Sequence, residues 1–364
     1  MINVKVIGAG SIGNHLTHAC RNAGWAVTLC DRDIDALQRT RDDIYPARYG
    51  AWDDAIRTVD SVAVQHEPFD LVIIGTPPDT HLTVALDQLR AAPPRVMLVE
   101  KPLCPPDLAG AVQLQQEAAQ TGCTVVVGYN HTLTENTRRA EAWLHDARPG
   151  RPLALHAITL EHWGGILRAH PWLKGPSDTY LGHTARGGGA IGEHSHAINI
   201  WQHFAHLCGQ GRVIEVRAML DFVEADGASY DRSAFLQLRT EQGLTGTVAQ
   251  DVVTEPARKM LSLSLDEGYL EWQVNADAGH DAVRYRVRDE QLQQERIAKT
   301  RPDDFAPEIR HLGELLETPA LTSPISLERG LDTMLVIAAA LKSDREGRPV
   351  TIDYAAGYGL GALR

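Results

Sequence analysis

Two domains of different construction are predicted: an α/β domain on a parallel sheet, then an α+β domain with a large, mostly antiparallel open sheet. Three observations carry this. Short apolar strand patterns alternate with helical ones over the first third; a glycine-rich turn separates the first strand from the first helix; and past about Tyr129 longer strand patterns joined by hairpin turns take over. A chain of 364 residues exceeds one ordinary core. The boundary is expected between 1–128 and 129–364.

Val4–Ile7 is a short β-rich run, followed by Gly8-Ala9-Gly10-Ser11-Ile12-Gly13 and a helical stretch to about Ala23. G-x-G-x-x-G between strand and helix is the Rossmann dinucleotide-binding fingerprint. Gly8 permits the turn, Gly10 lets backbone approach a pyrophosphate, and Gly13 allows helix to pack on strand. The helix N-terminus, at Ser11 and Ile12, offers N–H groups and partial positive charge to phosphates. The second strand, Trp25–Cys30, ends at Asp31, about 20 residues beyond the glycines. A carboxylate there binds ribose hydroxyls and repels a 2′-phosphate, so the expected cofactor is NAD rather than NADP. Arg32 is a candidate cover for the adenine.

The alternation continues. Phe69–Gly75 is a continuous apolar run suited to a strand covered on both faces. It ends in Thr76-Pro77, and a helix follows over about Leu82–Ala91. Arg95–Glu100 is another buried strand and leads into Lys101-Pro102. A helix over about Asp107–Thr121 and a strand at Thr124–Val127 close the series. Gly8, Asp31, Thr76 and Lys101 all fall at carboxyl ends of strands, where open parallel sheets bind ligands.

Composition narrows the function. A hydrophobic share of 43% and a charged share of 23% are close to globular averages, which excludes a disordered chain. A formal charge of -12 argues against nucleic acid and anionic membranes as partners. Five scattered cysteines without a C-x-x-C pair read as reduced thiols. The start shows no charged n-region or cleavage site, and no run approaches the ~18 apolar residues of a membrane span. The expected location is the cytoplasm.

Glu100-Lys101-Pro102 after a buried strand, together with the glycine turn and Thr76-Pro77…His81, resembles the Gfo/Idh/MocA oxidoreductase family. Gly128-Tyr129-Asn130 resembles its segment leaving the Rossmann domain. Gly187-Gly188-Gly189…Glu193-His194-Ser195-His196 is similar to the glycine-rich approach to its catalytic helix. A closing helix near 326–343, expected to pack back toward the Rossmann domain, also matches. The resemblance implies cofactor contacts from Thr76, Pro77, His81, Glu100, Lys101 and Asn130, and substrate contacts from Lys101, Tyr129, Glu193 and His196. One departure stands out. The commoner pattern sets an acid and a histidine four apart, D-x-x-x-H; here position 197 is Ala and the pair is Glu193 and His196.

Oxidising a secondary alcohol requires a hydride acceptor and a base for the hydroxyl proton. His196 is the first choice for proton transfer, because imidazole titrates near neutral pH. Lys101 supplies a cation beside the substrate oxygen. On a helix, Glu193 and His196 share a face and His194 points elsewhere. No metal is expected, since the histidine-rich middle of the chain has neither H-E-x-x-H nor cysteine partners. Trp163, Trp172 and Tyr180 precede the glycine run and are candidate stacking surfaces for sugar faces.

The expected function is therefore NAD-dependent alcohol–ketone interconversion on a sugar, nucleotide sugar, cyclitol or sugar acid. Two alternatives stay open: an enzyme that retains NAD and uses a transient oxidation for a net non-redox reaction such as glycoside cleavage, and a non-catalytic NAD-binding regulator. An uncovered apolar sheet face is a liability in a monomer, so a homodimer or homotetramer is expected.

Overall fold

A computed structural model describes residues 1–168, 173–300 and 304–364. The chain forms two compact units. The first joins residues 1–104, 110–130 and 302–327, and the second joins 105–109, 131–301 and 328–364.

The first unit is a six-stranded parallel sheet of β1 (Asn3–Ile7), β2 (Ala26–Asp31), β3 (Arg57–Asp60), β4 (Leu71–Ile74), β5 (Val96–Val99) and β6 (Thr124–Val127), in the order β3-β2-β1-β4-β5-β6. This is the doubly wound dinucleotide-binding order, whose direction reverses between β1 and β4. Strands β4 and β5 are buried at every position, as their unbroken apolar runs require. The helices are α1 (Ser11–Asn22), α2 (Ile34–Arg39), α3 (Tyr45–Tyr49), α4 (Pro78–Ala91) and α5 (Ala111–Thr121). The fifth begins later than the sequence pattern predicts, because Gly110 adopts φ +87° and the preceding residues form turns. Helix Ala306–Glu317 also belongs to this unit.

The second unit carries a nine-stranded mixed sheet. Its strands are β7 (Pro152–Leu160), β8 (Val213–Ala225), β9 (Ala228–Thr240), β10 (Thr245–Asp251), β11 (Arg258–Leu265), β12 (Gly268–Asp277), β13 (His280–Val287), β14 (Gln293–Ala298) and β15 (Val350–Thr351). Every pair is antiparallel except β7 with β10. One face is closed: Leu236, Val248, Ala157, Leu261, Trp272 and Val283 form a buried row across neighbouring strands. The next register row, on the opposite face, is Met219, Phe235, Ala249, Ile158 and Met260, and Met219 is 68% exposed. The helices of this unit are α6 (Glu135–Ala147), α7 (Gly164–Arg168), α8 (Gly189–Glu193), α9 (His196–Leu207) and the long Leu327–Glu346. Among the described residues no helix is long and apolar enough to cross a membrane.

Candidate functional site

In the first unit, the turns after β1 and β4 meet where the sheet order reverses. A Cβ on Gly8 would lie 2.7 Å from the Gly75 carbonyl oxygen, and φ at Gly8 is +109°. A Cβ on Gly13 would lie 1.9 Å from Gly8 O, so the first turn of α1 rests directly on the strand end. At Gly10 a Cβ would meet nothing within 4 Å. Two of the three glycines are thus dictated by the fold, and the third leaves space at the helix end. Helix α1 has no side-chain cap at Gly10 and no acid in its first turn. Backbone left bare by the missing Cβ of Gly10, at a helix N-terminus without a side-chain cap, fits a dinucleotide diphosphate.

Asp31 closes β2 and stands beside this turn. Its Oδ2 accepts the Ala9 amide at 2.8 Å and its Oδ1 accepts the Asp33 amide at 3.0 Å. These bonds fix the carboxylate while leaving lone pairs on both oxygens for hydroxyl donors. Arg32 next to it is exposed. Asn14 and Thr40 hold the glycine turn from behind. The Thr40 hydroxyl donates to Ala9 O at 2.9 Å, and Asn14 Nδ2 donates to Gly10 O at 2.8 Å. Neither residue carries a signal in the sequence, since only the fold brings Thr40 to the turn.

At the end of β4, Thr76 and Pro77 lead into α4, and Thr80 Oγ1 donates to Thr76 Oγ1 at 2.8 Å. His81 is 1% exposed, with Nε2 2.6 Å from Thr76 O and Nδ1 3.0 Å from Pro102 O. Burial pushes its pKa down to about 4, and the carbonyl oxygens facing both ring nitrogens pull the other way. His81 therefore staples the loop after β4 to the loop after β5. Glu100 is buried too. Its carboxylate lies beneath Gly128, where a Cβ would come within 2.8 Å of Oε1, and its Oε2 accepts the Lys101 amide at 3.2 Å. Lys101 is half-buried at the carboxyl edge of the sheet. Asn130 Nδ2 donates to Asp304 O at 3.4 Å, and the Tyr129 side chain is fully buried.

In the second unit the glycine-rich segment is explained position by position. A Cβ on Gly188 would lie 2.0 Å from Tyr180 O, and one on Gly192 would lie 2.1 Å from Gly187 O. Gly189 has φ +72°, and its Cβ would strike Asp231 Oδ1 at 1.9 Å. Asp231 is fully buried on β9 and accepts the Thr184 hydroxyl and the Ile191 amide, each at 2.7 Å. A carboxylate at the start of α8 satisfies N–H groups that the helix leaves open. Burial nevertheless raises its pKa to about 7.

The expected single helix carrying Glu193 and His196 is two. Helix α8 stops at Glu193, His194 and Ser195 form a turn, and α9 starts at His196. The Ser195 amide bonds to Gly192 O, three residues back, so the chain tightens there before α9 begins. Glu193 Oε2 accepts the Tyr180 hydroxyl at 3.0 Å. The His196 ring stacks on His131, with centroids 4.2 Å apart and planes at 25°. That partner stood in the sequence only as the residue after Asn130. His194 turns inward, its Nε2 3.2 Å from Glu161 O. Trp163, expected as a sugar-stacking surface, is 6% exposed and packs with Leu181, Ala190 and Val252. Trp172 lies outside the described residues.

The sequence has no match among curated proteins. Residues 2–129 match the family model for an oxidoreductase family with an NAD-binding Rossmann fold, Gfo/Idh/MocA. That stretch holds all six strands of the parallel sheet and is an NAD-binding Rossmann domain of this family's type. Its cofactor is NAD. Solved structures extend the likeness of fold to the chain as a whole. Levoglucosan dehydrogenase, in complex with NADH and levoglucosan, is 16% identical over 96% of this chain and 98% of its own, with a TM-score of 0.77. An oxidoreductase from Agrobacterium radiobacter, in complex with NAD+, L-tartaric acid and magnesium, is 18% identical over 96% and 98%, with a TM-score of 0.75. The WlbA dehydrogenase from Bordetella pertussis, in complex with NADH and UDP-GlcNAcA, is 16% identical over 96% and 98%, with a TM-score of 0.70.

Proposed function

We propose that this protein is an NAD-dependent oxidoreductase that interconverts a secondary alcohol and a ketone on a sugar, nucleotide sugar, cyclitol or sugar acid. The observation that carries the reading is Glu193 and His196 on adjoining helix ends, fixed by three glycines and a buried Asp231, in the same chain as an NAD-binding unit. The sugar-like ligands of the levoglucosan dehydrogenase and WlbA structures support the substrate class.

When bound, the nicotinamide supplies a hydride acceptor or donor at C4. His196 takes the hydroxyl proton during oxidation and returns it during reduction, with its ring plane set by the stack on His131. Glu193, oriented by Tyr180, accepts a second substrate hydroxyl. Lys101 holds positive charge against the reacting oxygen as that oxygen gains alkoxide character. Asp31 takes the adenosine ribose hydroxyls and sets the preference against NADP.

The test follows NADH absorbance with levoglucosan, UDP-GlcNAcA, inositols and sugar acids, using the wild type, Lys101→Ala and His196→Ala. Either substitution is expected to lower turnover by roughly 10²–10⁴-fold. Turnover equal to wild type in both variants removes these residues from the chemistry. Tighter binding of NADP than NAD overturns the role given to Asp31.

A further inference from the structure

Helix α3 is seated on α1 by aromatic contacts. Tyr49 Oη is 2.5 Å from His15 Nδ1, the Tyr49 ring stacks on His18 with centroids 3.7 Å apart, and Tyr45 Oη is 3.1 Å from His18 Nδ1. His15 and His18 are three apart on α1, so both present one face to the tyrosines. This seating brings Arg48 to the first residue of α1. Its Nη2 donates to Ser11 Oγ at 2.8 Å, and its Nη1 donates to Ser11 O at 3.0 Å.

A guanidinium at this spot adds positive charge to the positive end of a helix dipole. The first turn of α1 holds no acid, and Gly10 provides no side-chain cap. An anion at the helix end turns that repulsion into attraction, and the space beside Gly10 is open. We propose that Arg48, oriented by Ser11, adds a guanidinium contact to the diphosphate of NAD beside the backbone amides of the glycine turn. The inference rests on Gly8–Gly13 being the diphosphate-binding turn, and it adds a side-chain cation that the fingerprint itself does not contain. Guanidinium donors match the spacing of phosphate oxygens, and a group already anchored loses less rotamer freedom on binding.

Calorimetric titration of the full-length protein with NAD, ADP-ribose and adenosine tests this in wild type, Arg48→Met, Arg48→Lys and Ser11→Ala. Arg48→Met is expected to weaken NAD and ADP-ribose by about ten- to a hundredfold and to leave adenosine within about twofold. Ser11→Ala weakens the same two ligands by a smaller factor. Wild-type ADP-ribose affinity falls more steeply with salt than that of Arg48→Met. Unchanged ADP-ribose affinity in an Arg48→Met protein of wild-type melting temperature overturns the contact. Equal weakening of adenosine also overturns it, because the effect then lies outside the diphosphate. Should Arg48→Met fail to fold, Arg48→Lys decides: it keeps the charge but loses the paired donors, and wild-type ADP-ribose affinity in it refutes the proposal. A wild-type protein that binds adenosine as tightly as ADP-ribose removes the diphosphate reading of the glycine turn itself.

Discussion

The Tyr180 hydroxyl donates to Glu193 Oε2 across 3.0 Å, joining the segment before the glycine run to the carboxylate at the end of α8. Tyr180→Phe keeps the ring and deletes this bond. A hydrogen bond to a charged group contributes about 1.5–3 kcal/mol, so kcat/KM is expected to fall at least about tenfold. NAD affinity stays at its wild-type value. Steady-state kinetics on the best substrate of the panel, with an NAD titration beside it, decides the matter. A variant as fast as wild type leaves Glu193 without a part in the reaction.

The glycines of the first unit separate fold from cofactor. In Gly13→Ala the new Cβ would lie 1.9 Å from Gly8 O, so the helix must move off the strand. A loss of at least about 2 kcal/mol is expected, read as a lower melting temperature. Gly10→Ala meets no atom within 4 Å at a φ of -79°. It should melt within about 0.5 kcal/mol of wild type while losing roughly tenfold or more in NAD affinity. Normal NAD binding by Gly10→Ala would remove the backbone approach assigned to that position.

What was legible in the chain follows the physics of each segment. Strands β4 and β5 announce themselves because both faces are buried and the runs are wholly apolar. Strand β14 does not: Gln293–Ala298 is mostly polar and lies at the sheet edge, where little burial selects for apolar residues. Strand β3 is hidden for the same reason at the edge of the parallel sheet. The glycines, Glu193 and His196 were visible as local patterns. Asp231, Thr40 and Arg48 act across long sequence separations, and no local pattern marks them. Trp163 has the right chemistry for stacking on a sugar, yet burial commits it to a core. The break at His194 and Ser195 was hidden because each residue is compatible with a continuous helix.

Glu308, in the first turn of helix Ala306–Glu317, is 1% exposed, and among the described residues neither carboxyl oxygen has a hydrogen-bond partner. Burial, then the charge of Glu100, raises its pKa well above 4.5. A carboxyl raised in the folded state contributes stability below its unfolded pKa, and that stability is lost as pH climbs through the folded value. Asp231 and Asp332, both raised to about 7 chiefly by burial, act in the same direction. His81 and His206, lowered to about 4, act oppositely, but their contribution is complete above about pH 6.5. The melting temperature should therefore decline between about pH 6.5 and 8. Glu308→Gln, similar in shape but unable to ionise, should flatten that decline and raise stability at the alkaline end. A decline of wild-type steepness in Glu308→Gln shows that Glu308 does not ionise over this range.

The uncovered face of the nine-stranded sheet sets the last expectation, self-association. Met219 and Phe235 are directly paired across β8 and β9, and they are 68% and 51% exposed. Ala249, Ile158 and Met260 continue their row across three more strands, so the apolar surface is a band rather than scattered side chains. Leaving such a band in water is costly, and a second copy of the same sheet offers a matching face about a two-fold axis. Light scattering during gel filtration is expected to show a dimer or tetramer. In Met219→Lys/Phe235→Lys, two buried cations from each copy would confront those of its partner, and the protein should elute as a monomer. Both positions lie in the second unit, so a far-ultraviolet circular dichroism spectrum and melting transition like those of wild type check that the variant's sheet is folded. A wild type that is monomeric at every concentration assigns the band to some other partner.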